Sequence, residues 1–359
     1  MVRLYNLNIA QLKEYIKNRN IYCFGCGIQG KRAAMFLENW GILEQLKGYI
    51  DNNKEKVGTK VCIENRTYPV YSLDKLEESL TSDDLILVTC LNYKSVYEQL
   101  EMVQEIESKY IALDEVAEDQ LMVSDYNHVV HESKKPLIPK KIHYTWLGAD
   151  MPPNLRKNIE HWKQLCPDYE FYEWNDRNYD VSVNQYMNQA YERKMWGFVS
   201  DYMRLDIIYK YGGIYLDTDI EMIRKPDDLL YQQCFGCVDA SLVMNLGSGF
   251  GAAPQADIIR ELRDYYNDIP FVKENGSIDN TSCNSHSHNV LKKHGVRIND
   301  ELQNVHGMNI YPMIFQGACQ YTRKRKVTDK TYWIHYGNMS WFNKEDSYES
   351  NNSIYRGRV

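Results

Sequence analysis

Residues 198–219 read FVSDYMRLDIIYKYGGIYLDTD, and this stretch decides the fold of the region around it. Its first half predicts a helix, because apolar and aromatic side chains recur at helical spacing. These side chains are Phe198, Tyr202, Leu205 and Tyr209. Gly212 and Gly213 then end the predicted helix, since glycine adopts positive φ freely. Asp201 and Arg204 lie three positions apart and therefore share a different face of the helix.

Two carboxylates one residue apart follow a short predicted strand. The alternation over residues 214–217 predicts that Ile214 and Leu216 face a core. Tyr215, Asp217 and Asp219 would then share the opposite face. Oxygen ligands at the mouth of a buried strand suit a hard divalent cation, and Mg²⁺ and Mn²⁺ often share such ligands with substrate phosphates. The stretch therefore predicts a metal site.

Composition narrows the class of protein. The 359 residues exceed one ordinary domain, and the net charge of -7 disfavours a nucleic-acid partner. The 29 tyrosines suit an open cleft for polar ligands such as sugars, although a compositional bias would give the same count. Nine cysteines, an odd number, favour free thiols.

No export signal is visible in the sequence, so we expect a cytoplasmic protein. The first residues, MVRLYNLNIAQLKEYIK, hold no continuous apolar segment, so we expect no signal peptide. No run approaches the ~20 apolar residues of a transmembrane segment. The basic run 323–326 is a solvated loop or a weak contact with anionic lipids at the inner face of a bacterial membrane.

A glycine-rich turn marks the N-terminal part. Gly25, Gly27 and Gly30 form a G-x-G-x-x-G pattern after a predicted strand, and Asp51 ends the next strand about twenty residues on. Further alternation of strands and helices predicts an α/β fold, with a small Rossmann-like parallel sheet over residues 1–118. The turn either binds a nicotinamide cofactor, NAD(P), or only permits a tight connection.

The rest of the chain divides into a polar linker at 119–137, a second domain at 138–345 and a polar tail at 346–359. Within the second domain, the glycine-rich segment 245–251 would let the backbone approach a ligand closely. His286 and His288 form an H-x-H pattern, which we interpret as a surface loop; a role in an acceptor pocket stays open.

From Ile138 to about Phe342 the chain resembles bacterial members of glycosyltransferase family 32, the DXD-motif sugar transferases of capsular polysaccharide synthesis. These are related to yeast initiating mannosyltransferases and to clostridial glucosylating toxins. Four segments carry the resemblance: IPKKIHYTWLG (138–148), PDYEFYEWND (167–176), FVSDYMRLDIIYKYGGIYLDTDIE (198–221) and IHYGNMSW (334–341). The resemblance implies a GT-A fold and a retaining reaction.

Site roles follow from the resemblance. Asp217 and Asp219 are similar to the D-x-D pair that holds Mn²⁺ or Mg²⁺ on the donor diphosphate. His335 is a candidate third ligand, or else a packed strand residue. Asp201 and Arg204 match an S-D-x-x-R helix that holds the donor's ribose and sugar hydroxyls, and both are candidate catalytic residues together with the D-x-D pair.

The remaining implied donor contacts are spread over the same four segments. Trp146 matches a tryptophan that stacks on the nucleotide base, which favours UDP over GDP. Tyr215 and Asn175 match positions beside the donor. Ser340 and Trp341 match a C-terminal lid.

The sequence thus favours a metal-dependent transferase. It would move a sugar from a nucleotide diphosphate, a UDP-sugar before GDP-mannose, to a hydroxyl of a saccharide or lipid-linked saccharide acceptor. Two alternatives stay open at this point. The first is an NAD(P)-dependent oxidoreductase that uses the N-terminal glycine turn, and the second is a nucleotide-sugar binding protein without turnover.

Overall fold

The computed structural model describes residues 1–63, 65–103 and 106–337. Ser340, Trp341 and the predicted tail lie outside these residues. The chain divides into two units. Unit 1 contains residues 1–123 with the short segments 297–299 and 321–323, and unit 2 contains the remainder.

Unit 1 is an α/β unit built on one sheet. Its elements are β1 (Val2–Arg3), α1 (Ile9–Ile16), β2 (Asn20–Phe24), α2 (Ile28–Asn39), β3 (Leu46–Ile50), β4 (Lys60–Ile63), β5 (Arg66–Tyr71), α3 (Leu73–Glu77), β6 (Asp84–Val88), α4 (Tyr93–Glu101), β7 (Lys109–Ala112) and α5 (Leu113–Val123). The strand order is β1-β7-β6-β2-β3-β5-β4. All neighbours pair in parallel except the edge strand β4. The predicted Rossmann-like parallel sheet is therefore confirmed.

The glycine turn of unit 1 is held by contacts within the protein. Gly25 has a φ of +105°, and a Cβ on Gly30 would lie 2.0 Å from the Gly25 carbonyl oxygen. Asp51 accepts hydrogen bonds from the Cys26 N–H at 3.1 Å and the Cys26 thiol at 3.0 Å. Its other oxygen accepts from the Asn53 N–H at 2.9 Å. Positive φ and tight packing thus account for Gly25 and Gly30, and the carboxylate that would bind a ribose already caps the turn.

Unit 2 is also α/β. Its elements are β8 (Lys141–Thr145), α6 (Pro153–Leu165), β9 (Glu170–Trp174), α7 (Gln185–Glu192), α8 (Trp196–Tyr211), β10 (Gly213–Tyr215), β11 (Ile220–Met222), β12 (Cys234–Cys237), β13 (Phe250–Ala252), α9 (Asp257–Asp264), α10 (Cys283–Lys292), β14 (Gln303–Val305), β15 (Met308–Tyr311), β16 (Ala318–Cys319), β17 (Lys324–Arg325) and β18 (Trp333–His335).

The main sheet of unit 2 has the order β14-β15-β12-β13-β10-β8-β9. Strands β9, β8 and β10 are parallel, and β13 is antiparallel to both β10 and β12. The carboxyl ends of β9, β8, β10 and β12 therefore meet at one edge, where α/β sheets bind ligands. A separate ribbon pairs β11 with β18. This mixed, largely parallel sheet is consistent with the predicted GT-A type.

The core of unit 2 lies beneath that edge. Trp162 of α6 and Trp333 of β18 are both fully buried, and the Trp162 indole N–H donates to the Ile220 carbonyl at 3.0 Å. Burial of such large aromatic side chains contributes strongly to stability. The contact anchors α6 on the β11–β18 ribbon, directly behind the acidic pair.

Two predictions about segments differ from the structure. The predicted linker at 119–137 is not one continuous connection, because residues 119–123 complete α5 and the rest belongs to unit 2. The predicted surface loop at His286 and His288 is wrong: both lie on α10 and both are buried. The imidazole of His286 packs among aromatic rings, including that of Tyr266 with its centroid 5.5 Å away.

All nine cysteines lie in the described ranges and none forms a disulfide, as expected. Within the described ranges, no helix has both the length and the apolar character that crossing a membrane requires.

Candidate active site

The helix α8 and the strand β10 place the site. Gly212 and Gly213 have φ of +60° and +108°, so the predicted helix stop is confirmed. The expected one-sided burial is wrong, because positions 198–208 of α8 are buried all round and Ile214, Tyr215 and Leu216 are each 0% exposed. Strand β10 is central in its sheet and is covered on both faces, which leaves Asp217 and Asp219 as the first partly exposed side chains after it.

The acidic pair meets a histidine from the far end of unit 2. Ile220 pairs with His335 in the β11–β18 ribbon. This register brings the His335 Nε2 atom to 3.3 Å from Asp219 Oδ1. One ligand atom from each of Asp217, Asp219 and His335 lies within 4.8 Å of the others. Two carboxylate oxygens and one imidazole nitrogen form a donor set that fits a divalent cation such as Mn²⁺ or Mg²⁺.

Arg204 lies behind the acidic pair and is 4% exposed. Its guanidinium is 3.1 Å from the Asp201 carboxylate and 3.8 Å from that of Asp217. It also donates to the Ser200 carbonyl at 3.0 Å and to the Ser200 hydroxyl at 2.7 Å. These contacts hold a fixed positive charge next to the predicted metal site.

The pKa values of Asp217, Asp201 and His335 are all raised in this site. Burial raises the pKa of Asp217, and the adjacent Asp219 raises it further while Arg204 opposes both effects. Burial likewise raises the pKa of Asp201 to about 6, again against the attraction of Arg204. Burial alone would lower the pKa of His335, but Asp219 raises it to about 9. Such clustered, shifted groups are typical of functional sites.

The glycine-rich segment 245–251 lies over the acidic pair. A Cβ on Gly247 would lie 2.6 Å from Asp217 Oδ2, so only glycine permits this approach. The Ser248 hydroxyl lies 2.9 Å from Nδ1 of His335, which orients the ring with Nε2 toward Asp219. We predicted a close backbone approach in this segment, but no local pattern indicates that its targets are Asp217 and His335.

Asp239 was also missed by the sequence analysis. It follows β12 at the same sheet edge, is fully buried and accepts hydrogen bonds from the Ser241 N–H at 2.7 Å and from the Asn245 side chain. The Asn245 oxygen in turn accepts from the Gly247 N–H at 2.8 Å. Asp239 therefore supports the turn that covers the site. A turn-like D-A-S at the end of a predicted strand was the one available signal.

The residues that we predicted to contact the donor differ in burial. Tyr215 is fully buried, with its ring centroid 5.2 Å from the Arg204 guanidinium carbon and its hydroxyl 2.8 Å from Thr145 Oγ1. It thus supports Arg204 and presents no surface to a ligand. Trp146 and Asn175 follow β8 and β9 at the same edge as Asp217. The Trp146 indole donates to the Ala149 carbonyl at 2.6 Å, and Asn175 Oδ1 accepts from the Arg177 N–H at 2.9 Å.

The sheet edge of unit 2 thus brings together an acidic pair, a histidine and a buried arginine. Residues 152–236 match the family model described as "Glycosyltransferase sugar-binding region containing DXD motif". The matched stretch contains Asp201, Arg204, Asp217 and Asp219.

Part of the chain is also similar to curated mannosyltransferases and a mannosyl-lipid synthase of yeasts. The chain is 35% identical over 122 residues to inositol phosphoceramide mannosyltransferase 3 of Schizosaccharomyces pombe, covering 32% of this chain and 33% of the relative. It is 32% identical over 129 residues to mannosyl phosphorylinositol ceramide synthase CSH1 of Saccharomyces cerevisiae, covering 34% of each. The chain thus spans about a third of the length of these relatives. The solved PaToxG glycosyltransferase is similar to this chain with a TM-score of 0.34 at 15% identity, covering 44% of this chain and 69% of that one.

Proposed function

We propose that this protein is a metal-dependent glycosyltransferase that moves a sugar from a nucleotide diphosphate donor to an acceptor hydroxyl. The observation that carries the proposal is the convergence of Asp217, Asp219 and His335 on one point. Asp217 and Asp219 lie inside the segment that matches the DXD family model, and His335 comes from outside it. The guanidinium of Arg204 lies 3.8 Å from Asp217 and supplies a fixed positive charge at the same place.

The roles of the residues follow from charge. Asp217, Asp219 and His335 would hold Mn²⁺ or Mg²⁺, which neutralises charge on a bound diphosphate. Arg204 stabilises the negative charge that grows on the departing diphosphate, and it needs no reorganisation because Asp201 and Ser200 already fix it. Trp146 and Asn175, at the ends of the adjacent strands, complete the donor pocket. Transfer on the same face of the sugar, with retention, stays part of the proposal.

The relatives bear on donor and acceptor. Their names describe mannosyl transfer to inositol phosphoceramide. This supports mannose as the sugar and GDP-mannose as a donor to test beside the UDP-sugars that Trp146 favours. It also supports a lipid-linked acceptor over a soluble saccharide. A place in capsule synthesis, at the inner face of a bacterial membrane, is the setting that the family resemblance proposes.

A donor panel tests the proposal. The full chain is incubated with UDP- and GDP-sugars, with Mn²⁺, Mg²⁺ or a chelator, and the released nucleotide and the products are analysed. We expect hydrolysis or transfer with at least one donor, loss of it with chelator, and a fall of at least about 100-fold in Asp217→Asn.

The matched control for this variant is Asp168→Asn, because Asp168 is an exposed carboxylate of unit 2 that pairs with lysines at the surface. Full metal-dependent turnover by Asp217→Asn would disprove the assignment. Binding of NAD(P) with no response to any nucleotide-sugar would instead favour the oxidoreductase alternative. The hydrogen bonds that Asp51 already accepts from Cys26 and Asn53 argue against that alternative.

A further inference from the structure

A second cluster of potential metal ligands lies on unit 2, on elements that the proposed reaction does not use. Glu261 is on α9, His294 follows the end of α10, and His306 is in the turn between β14 and β15. One ligand atom from each residue lies within 4.8 Å of the others. We propose that these three residues bind a transition-metal cation of the Zn²⁺ type.

The ligand atoms already converge. Glu261 Oε2 is 2.7 Å from the His294 Nε2 atom, and Glu261 Oε1 is 3.3 Å from the His306 Nε2 atom. The two imidazole rings are stacked at 4.1 Å and 10°. Tetrahedral ligands at the ~2.0–2.1 Å bond lengths of zinc lie roughly 3.3 Å from one another. Side-chain shifts of at most about 1.5 Å, the difference between 4.8 Å and 3.3 Å, would bring all three atoms to such spacing.

Local backbone structure holds each ligand in place. Val305 pairs with Met308, so His306 and Gly307 form a two-residue hairpin loop. Their φ values are +49° and +83°, as in a type I′ turn, where Asn-Gly is the preferred pair. The left-handed conformation is strained for histidine, and the turn places the His306 imidazole next to Glu261. At the end of α10, the His294 N–H donates to the Leu291 carbonyl at 3.0 Å and closes the last turn of the helix.

The donor set differs in kind from that of the active site. Two nitrogens and one oxygen suit borderline cations such as Zn²⁺, whereas the two carboxylates and one imidazole of the active site are the better match for Mg²⁺ or Mn²⁺, which favour oxygen ligands. The side chains of Glu261, His294 and His306 are 35%, 23% and 42% exposed, so an ion can enter and water can fill the fourth position. The hydrogen bond from His294 lowers the pKa of Glu261 and keeps its carboxylate ionised.

Binding has a defined proton balance. In the metal-free site the Nε2–H groups of the histidines donate to Glu261. On binding, each Nε2 gives its lone pair to the cation, so the proton that it carried moves to Nδ1 of a neutral ring or, from a doubly protonated ring, is released to solvent. The bound ion would link α9, the end of α10 and the β14–β15 hairpin, which are three segments distant in the sequence.

The test uses the full chain after removal of metals with a chelator. Zn²⁺ is titrated by calorimetry in the presence of excess Mg²⁺, which competes for the oxygen ligands of Asp217 and Asp219. We expect one Zn²⁺ per chain. His306→Asn should weaken this binding by more than about 10-fold, because asparagine accepts the left-handed backbone but lacks the imidazole. His128→Asn, at an exposed histidine outside both clusters, should bind as the wild type does.

A second readout reports on the coordination geometry of the bound ion. Co²⁺ in place of Zn²⁺ should give the visible absorption of a tetrahedral site in the wild type and in His128→Asn, and lose it in Glu261→Gln and His306→Asn. The proposal is overturned if the wild type binds no Zn²⁺ under excess Mg²⁺. It is also overturned if His306→Asn binds with wild-type affinity, or if binding disappears in Asp217→Asn and persists in Glu261→Gln. A failed donor panel would leave each of these measurements unaffected.

Discussion

Gly247→Ala tests how closely the glycine-rich segment must approach the acidic pair. An alanine Cβ at this position would lie 2.6 Å from Asp217 Oδ2, 3.1 Å from Asn245 Oδ1 and 3.4 Å from Arg204 Nη1. Ordinary contact begins at 3.4 Å, so the Asp217 carboxylate must retreat by about 0.8 Å, the difference between 3.4 Å and 2.6 Å. No ligand is removed by this change; one is only displaced.

The displacement of the Asp217 carboxylate should lower the rate of the reaction. A misplacement of about 1 Å in a catalytic site lowers the rate on the order of 100-fold, or about 2.7 kcal/mol of transition-state stabilisation. We therefore expect Gly247→Ala to lower kcat/KM for the nucleotide-sugar by about 100-fold and to weaken the affinity for Mn²⁺. The assay is donor turnover at a series of Mn²⁺ concentrations, with thermal unfolding measured in parallel.

Gly27→Ala is the matched control. Gly27 has an ordinary φ of -78°, and a Cβ there would meet no atom within 4 Å. This variant should retain the activity, the affinity for Mn²⁺ and the Tm of the wild type. If Gly247→Ala also keeps its kcat/KM and its Mn²⁺ affinity within about twofold, the close approach has no functional role and our account of the site is refuted.

Two further predictions concern stability. Arg204→Ala leaves the buried Asp201 and the partly exposed Asp217 without their partner and should lower the free energy of unfolding by about 3–5 kcal/mol. Lys210→Ala, at a half-exposed lysine paired with Asp206, should lower it by no more than about 1 kcal/mol. Equal losses in urea unfolding would contradict this. Burial lowers the pKa of His143 to about 4, against 6.5 for an unburied histidine, so the unfolded chain binds more protons between these pH values. Stability present above pH 6.5 should fall by up to about 3 kcal/mol as the pH falls toward 4, and His143→Gln should flatten that slope in unfolding measured at pH 5 and pH 7.

The reason for the His143 prediction lies in its hydrogen bonds. The indole N–H of Trp174 donates to Nδ1 at 3.0 Å, so the Nε2–H of the neutral ring donates to the Gly212 carbonyl at 2.9 Å. Protonation of Nδ1 would remove the acceptor that Trp174 needs. An unchanged slope in His143→Gln would show that other groups dominate the pH dependence.

Much of the fold follows from local rules. The period of the apolar residues predicted α8, and paired glycines predicted its end at Gly212. Alternating strand and helix patterns predicted the parallel sheet of unit 1. The predictions failed where burial depends on distant segments. Tyr215 was placed on an open face, but Phe250 of β13 and Arg204 of α8 cover it.

The linear order of residues determines the acidic pair, the helix that carries Asp201 and Arg204, and the chemical preference of these oxygens for a hard cation. Each of these features depends on neighbours within a few positions. Only the tertiary structure decides that His335 faces Asp219, that Ser248 orients His335 and that Gly247 contacts Asp217. Strand register and turn packing set these contacts between residues remote in the chain, and no local periodicity encodes such distances.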